Sequence, residues 1–230
     1  MDLSGKVIAV TGSDGALGQA VAATLSRYGA KLALLSHSHA RSPVQPTGAL
    51  QYGDVDLTLE DAARAVMEKV VKDAGRLNGL INVAGGFLWE KLADGTVDTW
   101  DTMYKVNVRT AVIACQAALP YLLQAGGGRI VNVGAMGAMK AATGMGAYAA
   151  SKAGVAKLTE ALAEEMKDRG VTVNAILPST LDTPKNRRDM PQADFTRWVA
   201  PAEAAEVIAF LVSDEARAVT GALIPVVGRV

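Results

Sequence analysis

Short runs of apolar residues alternate along the chain with longer stretches in which apolar positions recur every three or four residues, a pattern that predicts strands and helices in turn. Val7 to Thr11 is the first run and stops at Gly12, after which Ala16 to Leu25 has helical spacing up to Gly29. Lys31 to Leu35 reads as a second strand, Ser36 to Gly48 as a polar loop, and a third short strand ends at Asp54. Thr58 to Ala74 is amphipathic, with Leu59, Ala62, Ala65, Val66, Val70 and Ala74 on one side, and Gly79 to Val83 is a buried strand. A long helix from about Val97 to Gln124 precedes a strand at Arg129 to Val133, and a helix from about Ala147 to Asp168 precedes Val171 to Ile176. From Pro178 to Pro201 the rhythm is broken by prolines and charges. Pro201 to Leu211 then reads as a helix and Ala222 to Val227 as the last strand.

Strands alternating with helices imply right-handed crossovers, so the expected fold is α/β: a single-domain Rossmann-type doubly wound parallel sheet with helices on both faces over residues 1–230. Ligands of such a sheet sit outside the carboxyl ends of its strands. The irregular segment at about 184–200 is placed there as a substrate lid, with Met190, Phe195 and Trp198 available to cover a small molecule.

Composition narrows the function classes. Basic and acidic residues number 23 each, so no overall field draws in nucleic acid or an anionic membrane. Met1 to Lys6 lacks the succession of a signal peptide, and no apolar run approaches the ~20 residues of a membrane span, so a soluble cytoplasmic protein is expected. The one cysteine, Cys115, reads as a buried thiol, and His37 and His39 stand alone in a polar turn, so no metal site is expected.

Thr11-Gly12-Ser13-Asp14-Gly15-Ala16-Leu17-Gly18 lies where the first strand hands over to the first helix. Glycines there let the backbone approach a pyrophosphate, and unpaired N–H groups at the helix start face its charge. Tyr148 and Lys152 share a helix face, where a cation beside a phenol lowers its pKa toward neutrality and readies it to exchange a proton.

These motifs, in this order, resemble the short-chain dehydrogenase/reductase family over nearly the whole chain. The glycine turn resembles its Thr-Gly-x-x-x-Gly-x-Gly pattern, Asn82-Val83-Ala84-Gly85 its Asn-Asn-Ala-Gly element, and Tyr148-x-x-x-Lys152 its Tyr-x-x-x-Lys pair. Asn107 falls where the family carries a structural and catalytic Asn, and Pro178 to Thr183 resembles the segment touching the nicotinamide carboxamide. The resemblance implies a nicotinamide-dependent oxidoreductase with Tyr148, Lys152 and Asn107 catalytic. It implies cofactor contacts from Gly12, Ser13, Gly15, Ala16, Leu17 and Gly18, from Ser36, His37 and Ser38, and from Asp54 and Val55. Asn82, Ala84, Gly85, Tyr148, Lys152, Pro178, Ser179, Leu181 and Thr183 complete the expected set.

One position departs from the pattern. Ala135 occupies the place of the usual catalytic Ser, thirteen residues before Tyr148, and a methyl donates no hydrogen bond to an oxyanion. Thr143 is the nearest hydroxyl in sequence. Gly15-Ala16-Leu17-Gly18, Val83-Ala84-Gly85-Gly86, Ala135 and the stretch from Leu181 to Trp198 also resemble the dihydropteridine reductase family, which uses the Tyr-Lys pair without the Ser and implies a conjugated imine substrate. Reduction of a small carbonyl or imine is therefore the leading reading, quinonoid dihydropterin a special case, and a non-catalytic nucleotide sensor the reading of another class.

An Asp at the end of the second strand marks NAD-selective members; here that place is Ser36, followed by His37, Ser38 and Arg41. NADP is the expected cofactor, with NAD the alternative because Asp14 lies close to the same pocket. Ala111, Ile113, Ala118 and Leu122 put apolar groups on more than one side of the long helix, which with the family resemblance implies a homotetramer or homodimer.

Overall fold

The structure, a computed structural model, describes residues 1–39 and 46–230; Arg41 lies outside the described residues. Among the described residues seven strands form one sheet: β1 (Val7–Thr11), β2 (Lys31–Leu35), β3 (Leu50–Tyr52), β4 (Gly79–Asn82), β5 (Gly128–Val133), β6 (Val171–Pro178) and β7 (Leu223–Val226). Their order is β3-β2-β1-β4-β5-β6-β7, and every pairing is parallel. The chain moves outward from β1 in one direction through β2 and β3, then in the other from β4 onward. A crevice therefore opens where β1 and β4 end side by side.

Among the described residues the helices are α1 (Ala16–Arg27), α2 (Glu60–Ala74), α3 (Val97–Met103), α4 (Thr110–Gln124), α5 (Gly146–Met166), α6 (Pro184–Asp189) and α7 (Pro201–Val212), of which α1, α2, α4, α5 and α7 pack against the sheet. Side chains alternate across each strand, so Ile8 and Val10 join Leu17, Val21 and Ile208 beneath α1 and α7, while Val7 and Ala9 face α2 and α4 with Met67, Ile113 and Leu122. Burial on both faces explains why the central strands read as continuous apolar runs instead of alternating ones.

The long predicted helix over Val97 to Gln124 is present, but a π turn at Tyr104–Arg109 separates α3 from α4. By length and apolar content this body passes for a membrane span, yet more than half of its apolar window is buried inside the domain. Ala111, Ile113, Ala118 and Leu122, expected as surplus apolar surface for an oligomer, are buried within the single chain. Strands β4 and β5, helix α2 and the π turn pack against α4, so these positions are buried within one molecule. On α2 the buried face is Ala63, Val66, Met67 and Val70, whereas Leu59 and Ala65 are exposed. The third strand stops at Tyr52, two residues before Asp54, which has φ 57°.

Helix α5 lies close against the π turn because Gly154 carries no side chain: a Cβ there would stand 2.9 Å from Val108 Cγ2. This approach sets Ser151 beside Asn107. Gly154→Val should overpack the contact and lower stability by about 1–3 kcal/mol, with much of that loss recovered in the Gly154→Val/Val108→Ala double variant. Urea midpoints of the four proteins in this cycle check the expectation; additive losses would place the strain elsewhere.

Candidate active site

The crevice is built from a contact between two loops. Thr11 ends β1, and its Oγ1 accepts the N–H groups of Val83 and Ala84, each at 3.1 Å. Gly12 follows with φ 60°, and a Cβ there would stand 2.8 Å from the Ala84 backbone, so only glycine lets the turn after β1 lie against the loop after β4. Ser13 ties the same turn to β2 through its N–H and its Oγ, both donated to the Leu35 carbonyl at 3.1 Å. Gly15 stands at the cap position of α1 with extended backbone, and no side chain caps the helix, which leaves its first N–H groups open to an anion. Gly18 packs inside the turn, where a Cβ would run into the Gly12 carbonyl. Ala16 stands where the quoted glycine pattern has its second glycine, one place after Gly15, and is exposed on the crevice wall.

A cavity of about 950 Å³ runs from Ser36 and His37, past the glycine turn, to Val133, Leu181 and Thr183. Gly12, Gly15, Ala16, Leu17, Gly18, Val55, Ala84 and Gly85 line it as expected. An open helix start at mid-length, two loops touching where any Cβ would intrude, and space on both sides fit a dinucleotide with its pyrophosphate on α1. Asp56, Leu57, Thr58, Lys105 and Thr110 also line the cavity and were missed. Only one of these carried a local pattern: Asp56 Oδ1 accepts the Thr58 N–H at 2.8 Å and the Thr58 hydroxyl at 2.7 Å, an Asx turn written as Asp-x-Thr.

Other expected cofactor residues stand back from this wall. Ser13 and Asn82 are buried beneath it; Asn82 donates to Asn132 Oδ1 at 2.9 Å, and its own Oδ1 has no partner among the described residues. Ser179 donates its hydroxyl to the Val227 carbonyl at 2.8 Å, and Pro178 is the buried end of β6. Asp54 is turned outward by its left-handed backbone and pairs with His39 at the rim, so it is absent from the cavity lining. Ser38 is held off the lining by its bond to the Asp14 carboxylate.

The expected catalytic residues come together on α5 and the π turn. Asn107 is 1% exposed; it accepts the Gly86 N–H at 3.0 Å and donates to the Gly86 carbonyl and to Ser151 Oγ, each at 3.0 Å. Ser151 in turn donates to the Tyr148 carbonyl at 2.7 Å. The Tyr148 ring meets the Phe87 ring edge-on, with centroids 4.9 Å apart, and its phenol makes no hydrogen bond among the described residues. Lys152 is 5% exposed and donates to the Val133 carbonyl at 2.8 Å; its Nζ lies 6.0 Å from the Tyr148 ring centroid and 3.5 Å from where a Gly85 Cβ would stand. The amine thus borders the cavity between two residues that line it.

Electrostatics here differ from the expectation. Burial pushes the Tyr148 phenol up to about 12 instead of down, because a phenolate would lose its hydration while Lys152 is drawn onto Val133. Burial also lowers the Lys152 amine to about 8. Ala135 is buried at the start of a short 3₁₀ turn, and Thr143 is exposed, with its carbonyl accepting from Trp89 Nε1 at 2.9 Å.

A parallel sheet reversing at β1 over a phosphate-ready turn, with a phenol and an amine at one end, defines a nucleotide-binding oxidoreductase. Comparison with known proteins gives the family. A family model described as short chain dehydrogenase matches residues 6–194, and the chain belongs to the short-chain dehydrogenase/reductase family. It is 33% identical to the 3-oxoacyl-(acyl-carrier-protein) reductase FabG of Thermotoga maritima, the match covering 99% of this chain and 98% of that protein. An NAD+-bound xylitol dehydrogenase superposes with TM-score 0.91 at 27% identity, covering 99% of this chain and 100% of that one. Carveol dehydrogenase of Mycobacterium avium, in complex with NAD, gives 0.87 at 25% identity, covering 98% and 97%.

The buried amine has a measurable consequence. Folded Lys152 releases its proton near pH 8, whereas an unfolded chain keeps it to about 10.5, so between these values the unfolded state binds more protons. Stability of the cofactor-free protein should therefore carry an increment that rises with pH across this window. Urea unfolding at pH 7.5 and 9.5 should show the increment in the parent protein and a smaller rise in Lys152→Met; equal rises in both would mean that another group is responsible.

Proposed function

We propose that this oxidoreductase reduces a small carbonyl or imine compound, with Tyr148 as proton donor, Lys152 as its partner and Asn107 as the residue that fixes the helix turn carrying both. A single observation carries the reading: an unbonded phenol and a buried amine share one face of α5, with the amine against the cavity wall at Gly85. A nicotinamide dinucleotide, when bound, supplies the hydride. The NAD-bound relatives and the reductase FabG support that choice of cofactor class and of reaction.

The chain's own groups define the rest. With its proton held to about pH 12, the Tyr148 phenol is neutral at pH 7 and has a proton to give to the atom that receives negative charge. Phe87 against one edge of the ring limits its rotation. The Lys152 ammonium stabilises the phenolate left behind, and a ribose hydroxyl arriving near Gly85 provides a second acceptor beside the Val133 carbonyl. Because Ala135 offers no donor, Tyr148 is left as the hydrogen-bond donor to the acceptor atom. This favours acceptors already polarised in themselves, such as a conjugated imine or an electron-poor ketone, and quinonoid dihydropterin belongs to the first kind.

Leu181 and Thr183 line the cavity together with Pro184 and Lys185 at the start of the short, largely exposed α6, which supports a lid over the substrate end. The homo-oligomer reading now rests on the exposed Val97, Trp100 and Tyr104 rather than on α4.

Assay of the purified protein with each reduced cofactor against ketones, imines and quinonoid dihydropterin tests the proposal. Tyr148→Phe should cut turnover of the accepted substrate by about 10²–10⁴-fold and leave cofactor affinity nearly unchanged. Undiminished turnover in that variant would overturn the assignment of the proton donor.

A further inference from the structure

The geometry points to Asp14 as the residue that decides which dinucleotide is taken, favouring a free 2′-hydroxyl on the adenosine ribose over a 2′-phosphate. This rests on the reductase reading above.

In a sheet of this topology the adenosine ribose lies beside the end of β2, where a carboxylate on that strand ordinarily binds the 2′-hydroxyl. Here β2 ends at Leu35 and is followed by Ser36, which carries no charge. The glycine turn supplies the charge instead. Asp14 lines the same cavity as Ser36 and His37, and its Oδ2 accepts the hydroxyl of Ser38, so a carboxylate reaches across to the loop that follows β2.

The turn holds it there from both sides. Ser13, next in the chain, is bonded twice to the Leu35 carbonyl, and the Asp14 carbonyl accepts Gln19 Nε2 at 2.7 Å. Asp14 Oδ1 takes no protein donor among the described residues, which leaves it free to accept a ribose hydroxyl.

The two serines that make this pocket look ready for a phosphate are already committed. A seryl hydroxyl has one proton. Ser36 gives its proton to the Ser38 carbonyl at 3.1 Å, and Ser38 gives its own to Asp14. A 2′-phosphate would find neither donor available and would meet a carboxylate. Asp56 adds a second negative group farther along the wall, while Asp54 is paired with His39 at the rim.

Direct titration of the full-length protein with NADH, NADPH and reduced nicotinamide mononucleotide, followed by nicotinamide fluorescence, tests this without any substrate. The parent protein should bind NADH at least about tenfold more tightly than NADPH, the scale set by a carboxylate near a phosphate dianion in a wet pocket. Asp14→Asn should raise NADPH affinity by about the same factor, and leave the mononucleotide, which lacks the adenosine half, unchanged. Ser38→Ala, which releases the carboxylate, should narrow the preference in the same direction. Equal binding of NADH and NADPH by the parent protein, or an Asp14→Asn variant with an unchanged ratio, would overturn the assignment. A parent preference for NADPH that disappears in Arg41→Ala would overturn it in favour of that guanidinium. Failure of all three nucleotides to bind would instead sink the reductase reading, and this inference with it.

Discussion

Gly12 has no side chain, and for that reason the backbone leaving β1 can rest on the backbone leaving β4, with Thr11 Oγ1 accepting two N–H groups across the gap. This contact closes the floor of the crevice at the point where the strand order reverses. It aims the start of α1 along the cavity, and it sets the distance between that helix start and Gly85, beside which Lys152 is buried. A methyl at residue 12 would push the two loops apart and disturb both ends together. The bonds from Ser13 to Leu35 extend the same constraint to β2, so the ends of three neighbouring strands are positioned by one turn.

A second constraint orders the chemical end. The π turn brings Asn107 to Gly86 and Ser151, and the chain of bonds continues to the Tyr148 carbonyl. Each of these groups is buried or nearly so, and an unpaired amide there would cost about 1–3 kcal/mol, so the network specifies one arrangement of helix and loop. Lys152 is buried as an amine whose bonded acceptor is a backbone carbonyl. That is a tolerable state for a group that discharges near pH 8, and it leaves the phenol unclaimed.

The architecture was legible because a buried parallel strand and an amphipathic crossover helix write different periods into the chain, and because glycines mark the turns between them. β1 and β2 fall at the expected residues, and so do the glycine turn and the pair on α5. What escaped the sequence depended on environment. The apolar circumference of α4 read as surface left over for a partner, since periodicity along one helix does not show how many neighbours surround it. The proximity of Tyr148 and Lys152 was correct, but the direction of the phenol's shift was not, because burial acts on both groups and a backbone carbonyl competes for the amine. Ser36 and Ser38 read as open donors, and only the folded loop shows where their protons go. Asp54 was expected only from its position after a strand; its left-handed backbone angle and its pairing with His39 are features of the folded loop alone.

Cys115 is the chain's one thiol, it is buried, and its surroundings hold it protonated with a pKa of about 12. Maleimides and similar thiol reagents, which need an accessible thiolate, should therefore leave the native protein unlabelled. The molecule behaves in effect as a cysteine-free scaffold. One engineered thiol on the exposed helix α6, for example Arg188→Cys, would carry a single dye or spin label on a segment that borders the cavity, with no background cysteine to remove first.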